Sequence, residues 1–385
     1  MITRVHVKNF RGIADETVDL KKLTVLVGRN GAGKSSFVDV LRFVRDAVSV
    51  GLDDGIVHRH GIIALRRYAP TKPYDVEIDL TIETKTWQAT YGFCVGSGKE
   101  GEYRVKREYC EANATDRLGH RPVHRFVREG NRIEWSGLKI PGGAERFGAL
   151  ESVSLALPSL AIFSPFFSRA RSYLRGMNFC AIFPNTLREP QKPSPIKQLT
   201  EHGDNLASIL RHLRESKWFG DLKSAFNNVI GGIQDLRIRQ IGGFLVTELQ
   251  HQMGGGNSAW FDLSQESDGT LRILGLLVAL YQNPRSGAFL AIEEPELTLH
   301  PGALGVLSDV LLEAATRGQL LITTQSPDLI SRFSADDLRV VEREEGITSI
   351  GAVDETQRKA VEDQLFSAGD LLRIEGLRRQ PVLAL

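Results

Sequence analysis

Residues 23–44 read LTVLVGRNGAGKSSFVDVLRFV, and this stretch decides the fold. It opens on the apolar run Leu23 to Val27, which predicts a short buried strand. A glycine-rich turn follows, and from Lys34 onward apolar side chains recur at helical spacing. The pattern therefore predicts a strand, a loop and a helix in that order.

The loop between strand and helix has the spacing G-x-x-x-x-G-K-[ST], which is typical of a phosphate-binding loop. Backbone N–H groups of such a loop converge on the β-phosphate of a nucleotide, so side chains are unwelcome at Gly31 and Gly33. Lys34 is expected to bridge the β- and γ-phosphate oxygens, and the Ser35 hydroxyl to bind Mg²⁺. The predicted nucleotide-binding residues are Gly28, Arg29, Asn30, Gly31, Ala32, Gly33, Lys34, Ser35 and Ser36.

A second apolar strand, Phe289 to Ile292, ends in the acidic run Glu293-Glu294-Pro295-Glu296. A buried strand that ends in carboxylates places acid beside a nucleotide-bound Mg²⁺. Because successive side chains of a strand diverge, Glu293 is predicted to hold the metal shell. Glu294 is predicted to polarise the attacking water as general base.

The remaining segments predict an α/β fold with two kinds of sheet. Three strand patterns separated by turns look antiparallel: Tyr74 to Glu83, Trp87 to Val95 and Tyr103 to Cys110. Nearer the C-terminus, helices and strands alternate as in a parallel sheet, over Thr270 to Tyr281, Phe289 to Ile292, Leu304 to Ala315 and Gln319 to Thr323. Between these regions, helical spacing recurs over Leu206 to Leu213 and Trp218 to Ile230.

The charge balance is nearly even, with 48 lysine and arginine residues against 47 aspartate and glutamate residues, so no whole-chain field points to nucleic acid or to an anionic membrane. The stretch Arg104 to Arg146 is modestly basic, and both contact with phosphate backbones and a solvated surface stay open. Its lack of regularly interleaved aromatic residues favours the surface.

The three cysteines Cys94, Cys110 and Cys180 lack zinc-type spacing and suit buried free thiols in a reducing cytosol. The N-terminus shows no signal-peptide pattern, and no apolar run is long enough for a membrane span. We therefore expect a soluble cytoplasmic protein.

Residues 263–270 read LSQESDGT and lead into the helix that precedes the acidic strand. Taken alone, the segment is explained as well by a simple helix cap as by a second phosphate-binding helix start. Together with the phosphate loop, the acidic run and the opening Asn9-Phe10-Arg11-Gly12, it resembles the ABC-type ATPases of the RecF, SMC and OLD group. The resemblance is specific over Met1 to Leu41 and about Ser264 to Ser334, and it is closest to compact bacterial AAA-labelled, OLD-like relatives without a Toprim domain.

The resemblance implies a head that binds ATP and Mg²⁺. Its signature would be Ser267-Asp268-Gly269-Thr270, in which Ser267 and Gly269 contact the γ-phosphate bound by another subunit. Hydrolysis then needs a head-to-tail pair with two ATP molecules between the subunits. His300 stands where transporters have the D-loop aspartate, as in the E-P-E-x-x-L-H-P pattern of the OLD-like branch, although an ordinary strand-end histidine explains it too.

The segment Thr323-Thr324-Gln325-Ser326-Pro327 resembles the family's switch T-T-H-S-P, with glutamine in place of histidine. A neutral amide can hydrogen-bond the γ-phosphate or the attacking water but cannot carry a histidine's charge, so we expect slow hydrolysis. The predicted catalytic set is Glu294, Gln325 and Lys34. Arg11 is expected either to approach the nucleotide or to be a surface arginine.

The expected domains follow from these assignments. The ranges 1–52 and 231–350 would form the ATPase core, 53–150 an antiparallel β-rich part, 151–230 a helical insertion, and 351–385 a C-terminal helical tail. The expected fold is thus an α/β, ABC-type ATPase head with a mixed and parallel sheet core, an antiparallel β subdomain and an inserted helical lobe.

The leading functional hypothesis is that ATP closes a dimer and its hydrolysis reopens it, in control of a DNA-linked or effector-linked process, by resemblance bacterial defence against phage. Any nuclease or effector would be a separate partner, because only about 60 residues follow the switch, which is short for another domain. Two alternatives stay open, a RecF-like repair clamp that holds DNA and a scaffold that binds ATP with little turnover. Transport is not expected, because the sequence shows no membrane span.

Overall fold

We describe a computed structural model that covers residues 1–68, 75–98, 100–115, 121–140, 151–282 and 288–381. The predicted start of the first antiparallel strand at Tyr74, and the part of the basic stretch beyond residue 140, lie outside these ranges. The strands are β1 Ile2–Phe10, β2 Ile13–Asp19, β3 Leu23–Val27, β4 Val76–Glu83, β5 Trp87–Ser97, β6 Tyr103–Ala114, β7 Val123–Glu129, β8 Arg132–Ser136, β9 Asn178–Cys180, β10 Ile233–Ile241, β11 Phe244–Gln252, β12 Ser258–Asp262, β13 Phe289–Glu293, β14 Gln319–Thr324, β15 Leu338–Glu344 and β16 Ile347–Gly351.

The helices are α1 Lys34–Ser49, α2 Leu52–Val57, α3 Ile62–Leu65, α4 Leu157–Leu160, α5 Pro165–Arg175, α6 Pro184–Arg188, α7 Leu206–Leu213, α8 Trp218–Ile230, α9 Asp268–Tyr281, α10 Leu304–Arg317, α11 Pro327–Ile330, α12 Glu355–Glu362 and α13 Ala368–Ile374. Short 3-10 turns lie at Gly254–Gly256, Leu263–Gln265, Pro301–Ala303 and Ala335–Asp337. No helix among the described residues combines the length and the apolar character needed to cross a bilayer.

Most strands join one large sheet in the order β8-β7-β6-β5-β4-β1-β2-β16-β15-β3-β14-β13-β9, and β10, β11 and β12 form a small antiparallel sheet. The segment from β15 to β9 is parallel, whereas β1 and β4 to β8 pair antiparallel. The predicted α/β class with a mixed sheet is confirmed. The division into sequence ranges stays a prediction, and β9, from within 151–230, is an edge strand of the large sheet.

The parallel strands are apolar on both faces because helices cover both sides of the sheet. Side chains of β3 alternate: Leu26 packs in the core cluster that contains α1, whereas Val25 and Val27 pack in the cluster that contains α9 and α10. In β14, Leu321 and Ile322 divide in the same way. This two-sided burial explains the continuous apolar runs in the sequence.

Strand register brings three loops to one edge of the sheet. Val27 of β3 lies opposite Thr324 of β14, and Thr323 lies opposite Glu293 of β13. Because these strands are parallel, the segments that follow all three leave the sheet at its carboxyl edge, where ligands bind in open α/β sheets. The phosphate loop, the acidic run and the Thr-Thr-Gln segment are therefore neighbours.

Candidate nucleotide-binding site

The phosphate loop runs from the end of β3 into α1, and its glycines are required for two different reasons. Gly31 and Gly33 have φ values of 76° and 114°, in the left-handed region that favours glycine. A Cβ at Gly33 would lie 2.4 Å from the Thr348 hydroxyl oxygen, and one at Gly28 would lie 2.3 Å from the Val341 carbonyl oxygen. We predicted Gly31 and Gly33 from phosphate access. The structure adds that β15 and β16 pack directly against the loop.

Lys34 opens α1 and is 5% exposed. Its Nζ donates to the carbonyl oxygens of Gly28 (2.8 Å) and Arg29 (3.2 Å), so the ammonium group lies across the loop. Burial lowers the pKa of Lys34, and the carboxylates of Glu294 and Glu296 act in the opposite direction. The lysine therefore lies within electrostatic reach of the acidic run.

A cavity of about 720 Å³ opens over the loop. Of the predicted residues, its wall contains Arg11, Asn30, Gly31, Gly33, Lys34, Ser35, Ser36 and Glu294. The wall also contains three basic side chains that we had not predicted, namely Arg66, Arg67 and Arg343, and the carboxylate of Glu345. The cavity thus combines a helix N-terminus, several cations and one predicted catalytic carboxylate, a combination suited to a polyanion.

The two leading carboxylates of the acidic run point to different places. Glu294 has φ 46°, its N–H donates to the Thr323 carbonyl oxygen (2.9 Å), and it lines the cavity. Glu293 Oε1 instead accepts from Arg42 Nη2 at 2.7 Å. The two side chains do diverge, but Glu294 follows the strand and has a left-handed backbone, so strand alternation does not set its direction. The metal task of Glu293 and the base task of Glu294 stay predictions.

Arg42 is a contact that the sequence analysis missed. Besides Glu293, its Nη2 lies 2.8 Å from Glu201 Oε1, and its Nη1 lies 3.4 Å from Asp39 Oδ1. Asp39 in turn binds Arg11 Nη2 at 2.7 Å. Arg11 therefore pairs with a buried carboxylate and also lines the cavity, and its approach to a nucleotide stays a prediction.

Glu296 was part of the acidic motif, but we gave it no task. Its Oε1 accepts from the Thr324 hydroxyl (2.6 Å) and from the Gln325 N–H (3.3 Å). It thereby ties the acidic run to the segment that contains Gln325. Among the described residues that form the cavity wall, neither Gln325 nor Glu293 is present.

The predicted signature lies at the start of α9. The Ser267 hydroxyl caps this helix by accepting from the Thr270 N–H at 3.1 Å, as the helix-cap interpretation expects. Asp268 binds Arg188, and a Cβ at Gly269 would lie 2.9 Å from the Thr298 carbonyl oxygen. Residues 267–270 are not among the described residues that line the cavity of the same chain.

His300 begins the 3-10 turn Pro301–Ala303, where its Nδ1 accepts from the Gly302 N–H at 3.1 Å.

The basic stretch that starts at Arg104 forms ion pairs on the sheet surface. The pairs are Lys106–Asp75 (2.6 Å), Arg107–Glu77 (3.5 Å), Arg125–Glu111 (4.0 Å) and Arg132–Glu134 (2.7 Å). These contacts favour a solvated surface over a nucleic-acid contact.

The donor set fits ATP with Mg²⁺. The loop presents the N-terminus of a 16-residue helix and a buried lysine to an anion. The Ser35 hydroxyl and the carboxylates of Glu293 and Glu294 are oxygen donors, which Mg²⁺ prefers in combination with phosphate oxygens and water. The described residues contain no cluster of three or more His, Cys, Asp or Glu side chains suited to a metal.

Comparison with known proteins agrees with this architecture. The structure is similar to the SMC head bound to the C-terminal winged-helix domain of ScpA, with a TM-score of 0.54 and 13% identity over 93% of this chain and 99% of that chain. This likeness shows that the chain has the fold of an SMC head. The SMC head with an extended coiled coil from Pyrococcus furiosus, bound to the C-terminal domain of ScpA, matches with a TM-score of 0.47 and 13% identity over 94% of this chain and 99% of that chain.

No curated protein is significantly similar to the sequence. The model of the AAA_21 family, described as "AAA domain, putative AbiEii toxin, Type IV TA system", matches residues 23–331. This range includes the phosphate loop, the segment 267–270, the acidic run and the Gln325 segment. Since the match spans well over half of the chain, the protein belongs to the AAA_21 family of AAA domains.

Proposed function

We propose that the chain is an ATP-binding and ATP-hydrolysing head. The observation that carries this proposal is that Lys34, Ser35 and Glu294 line one cavity, although Glu294 lies far from the other two in the sequence. A phosphate-binding cation, a hydroxyl for a metal and a carboxylate for an attacking water are the parts that phosphoryl transfer to water requires.

The residues of the phosphate loop and the acidic run have proposed tasks. Backbone N–H groups of residues 28–36 hold the phosphates, and Lys34 lies against the β- and γ-phosphate oxygens. Ser35 and Glu293 would hold Mg²⁺, which would supply positive charge to offset the negative charge of the phosphates. Glu294 accepts the proton of the attacking water.

Arg42 and Glu296 support this chemistry indirectly. Arg42 fixes the direction of the Glu293 carboxylate through its 2.7 Å contact. Glu296 holds the backbone of Gln325, whose neutral amide orients the water or the γ-phosphate without adding charge. We therefore propose that hydrolysis is slow. His300 stabilises the turn Pro301–Ala303 after the acidic run, because its Nδ1 accepts the Gly302 N–H.

We further propose that two copies associate head to tail around two ATP molecules. Residues Ser267, Asp268, Gly269 and Thr270 would face the γ-phosphate bound by the partner copy, since they begin a 14-residue helix and do not line their own chain's cavity. Both the resemblance to OLD-like ATPases and the fold of SMC heads favour such an arrangement.

The biological task that we propose is control of an effector in the bacterial cytoplasm, as part of defence against phage. The family description, which names an AbiEii toxin of a type IV toxin–antitoxin system, supports an effector-linked task. A nuclease or another effector would be a separate protein, just as the similar SMC head binds a domain of ScpA. DNA is the second partner class that we propose.

A RecF-like clamp is the alternative that retains DNA directly, and an ATP-binding scaffold is the alternative with little turnover. Phosphate release with Mg²⁺ and ATP, together with nucleotide binding, separates the hydrolysing head from the scaffold, and retention of DNA would favour the clamp. We expect wild type to bind ATP and release phosphate slowly, and Lys34→Ala to lose both. Binding without any release supports the scaffold, and the absence of binding refutes the proposed function.

A further inference from the structure

Arg188, at the end of α6, contacts the start of α9. Its Nη2 donates to the Glu266 carbonyl oxygen (3.0 Å) and to Asp268 Oδ1 (2.6 Å), and its Nη1 donates to Asn185 Oδ1 (2.8 Å). One guanidinium group therefore joins α6 to the two residues that flank Ser267. Planar, multidentate contacts of this kind fix direction as well as distance.

The same segment is held from two further sides. Glu266 Oε1 lies 2.6 Å from His251 Nε2 of β11, and the Glu266 side chain is only 7% exposed. Gly269 lies so close to the loop after the acidic run that a Cβ would be 2.9 Å from the Thr298 carbonyl oxygen. The segment 266–269 is thus clamped between α6, the small sheet and that loop.

The position of α6 is itself fixed by residues 203–207. Gly203 has φ 83°, and a Cβ there would lie 2.6 Å from Leu187 Cδ2. The Gln191 carboxamide donates to the Gly203 carbonyl oxygen (2.9 Å) and accepts from the Ala207 N–H (2.8 Å). These contacts connect the segments Asn185–Arg188 and Gly203–Leu206 to the start of α9.

Arg188 also acts through its positive charge, which neutralises the carboxylate of Asp268. Asp268 lies in the first turn of α9, where a carboxylate would repel a polyphosphate that approaches the helix N-terminus. Arg188 pairs with this carboxylate. In the isolated chain the Asp268 side chain is 54% exposed, so the pair contributes little to stability. Once a bound nucleotide excludes water from this surface, an unpaired Asp268 is much more costly.

We propose that Arg188 is a positioning residue for ATP-bridged association: it fixes the segment 266–269 and neutralises Asp268, so that the start of α9 accepts the γ-phosphate bound by a second copy of this chain. This inference rests on the proposed function. It assigns a task to α6. The phosphate loop and the acidic run cannot perform this task, because in the proposed pair they contact each ATP from the other chain.

The test uses the full chain with Glu294→Gln to slow turnover, with ATP and Mg²⁺, and measures the dimer dissociation constant by analytical ultracentrifugation. Arg188→Ala is expected to raise this constant about ten-fold or more, the effect of one lost charge-assisted contact. ATP affinity of the single chain and its thermal midpoint should stay unchanged. Arg211→Ala, an exposed arginine of α7 in the same helical region, is the matched control and should behave as the parent.

A second substitution separates charge neutralisation from a general folding defect. Adding Asp268→Asn to Arg188→Ala removes the repulsive carboxylate and is expected to recover part of the association. Equal dimerisation of Arg188→Ala and Arg211→Ala overturns the inference, and so does the absence of any recovery with Asp268→Asn. If the parent itself binds ATP but stays monomeric, the proposed association around ATP is wrong and the inference fails with it.

Discussion

Gly33→Ala tests why the phosphate loop has its conformation. A left-handed φ costs an alanine about 1–2 kcal/mol relative to glycine. The new Cβ would also lie 2.4 Å from Thr348 Oγ1, so Thr348 must move and give up its hydrogen bond to the Ala32 carbonyl oxygen, worth about 1 kcal/mol. The sum, about 2–3 kcal/mol, predicts ATP binding weakened roughly 30- to 150-fold if the loop must regain this conformation to bind.

Gly31→Ala is the matched control for this prediction. Gly31 also has a positive φ, 76°, but a Cβ there would meet nothing within 4 Å. Its alanine variant should therefore lose only the backbone part, about 1–2 kcal/mol. Titration of each variant with a fluorescent ATP analogue measures the difference. Equal losses at the two glycines, or no recovery when Thr348→Ala is added to Gly33→Ala, would refute the packing explanation.

Three further perturbations have defined outcomes. Gln325→His restores a side chain that can carry charge, so phosphate release should rise several-fold and gain a pH dependence near neutrality; an unchanged rate contradicts a role for this position. Glu296→Ala frees the Thr324 hydroxyl and the Gln325 N–H, so turnover should fall about ten-fold with ATP affinity retained, and a parallel loss of affinity would argue against a purely positioning role. Burial raises the pKa of the Glu108 carboxyl from 4.5 to about 6, so its stabilising contribution, about 2 kcal/mol, is full below pH 4.5 and is lost as pH rises through 6. Urea unfolding across this range should show the loss in wild type but not in Glu108→Gln.

The phosphate loop and the two acidic positions could be predicted because their signals are local. Strand β3, the glycine spacing and the start of α1 are consecutive in the sequence, and the apolar run before Glu293 is a strand buried on both faces. Parallel pairing then places both strand ends at one edge of the sheet. Local patterns and one rule of topology were therefore enough to place Lys34 and Glu294 near each other.

The supporting contacts could not be predicted, because they depend on the register of segments far apart in the chain. Arg42 meets Glu293 across 251 positions, and Thr348 meets the Ala32 carbonyl oxygen across 316 positions. No spacing in the sequence encodes such pairs. Glu296 could be singled out as the third acid of a motif. Its contacts could not be predicted, because its partners Thr324 and Gln325 lie at the end of another strand.

The task of the segment at Ser267 could not be predicted for a different reason. Its sequence fitted both a helix cap and a phosphate contact, and the structure shows that the serine does cap α9. The cap uses the Thr270 N–H, so this observation leaves the phosphate contact as a proposal about a pair of copies. In the proposed pair, each chain would contribute its phosphate loop to one ATP and its segment 267–270 to the other.

The rate of phosphate release by wild type and by Glu294→Gln, at saturating ATP and Mg²⁺, tests the central claim most directly. Glu345→Gln is the control, because Glu345 is a carboxylate in the wall of the same cavity to which we assign no chemical task. We predict that Glu294→Gln lowers the rate at least about 100-fold while ATP binding persists, and that Glu345→Gln keeps the wild-type rate. Equal rates for wild type and Glu294→Gln would contradict the assignment of Glu294 as the general base.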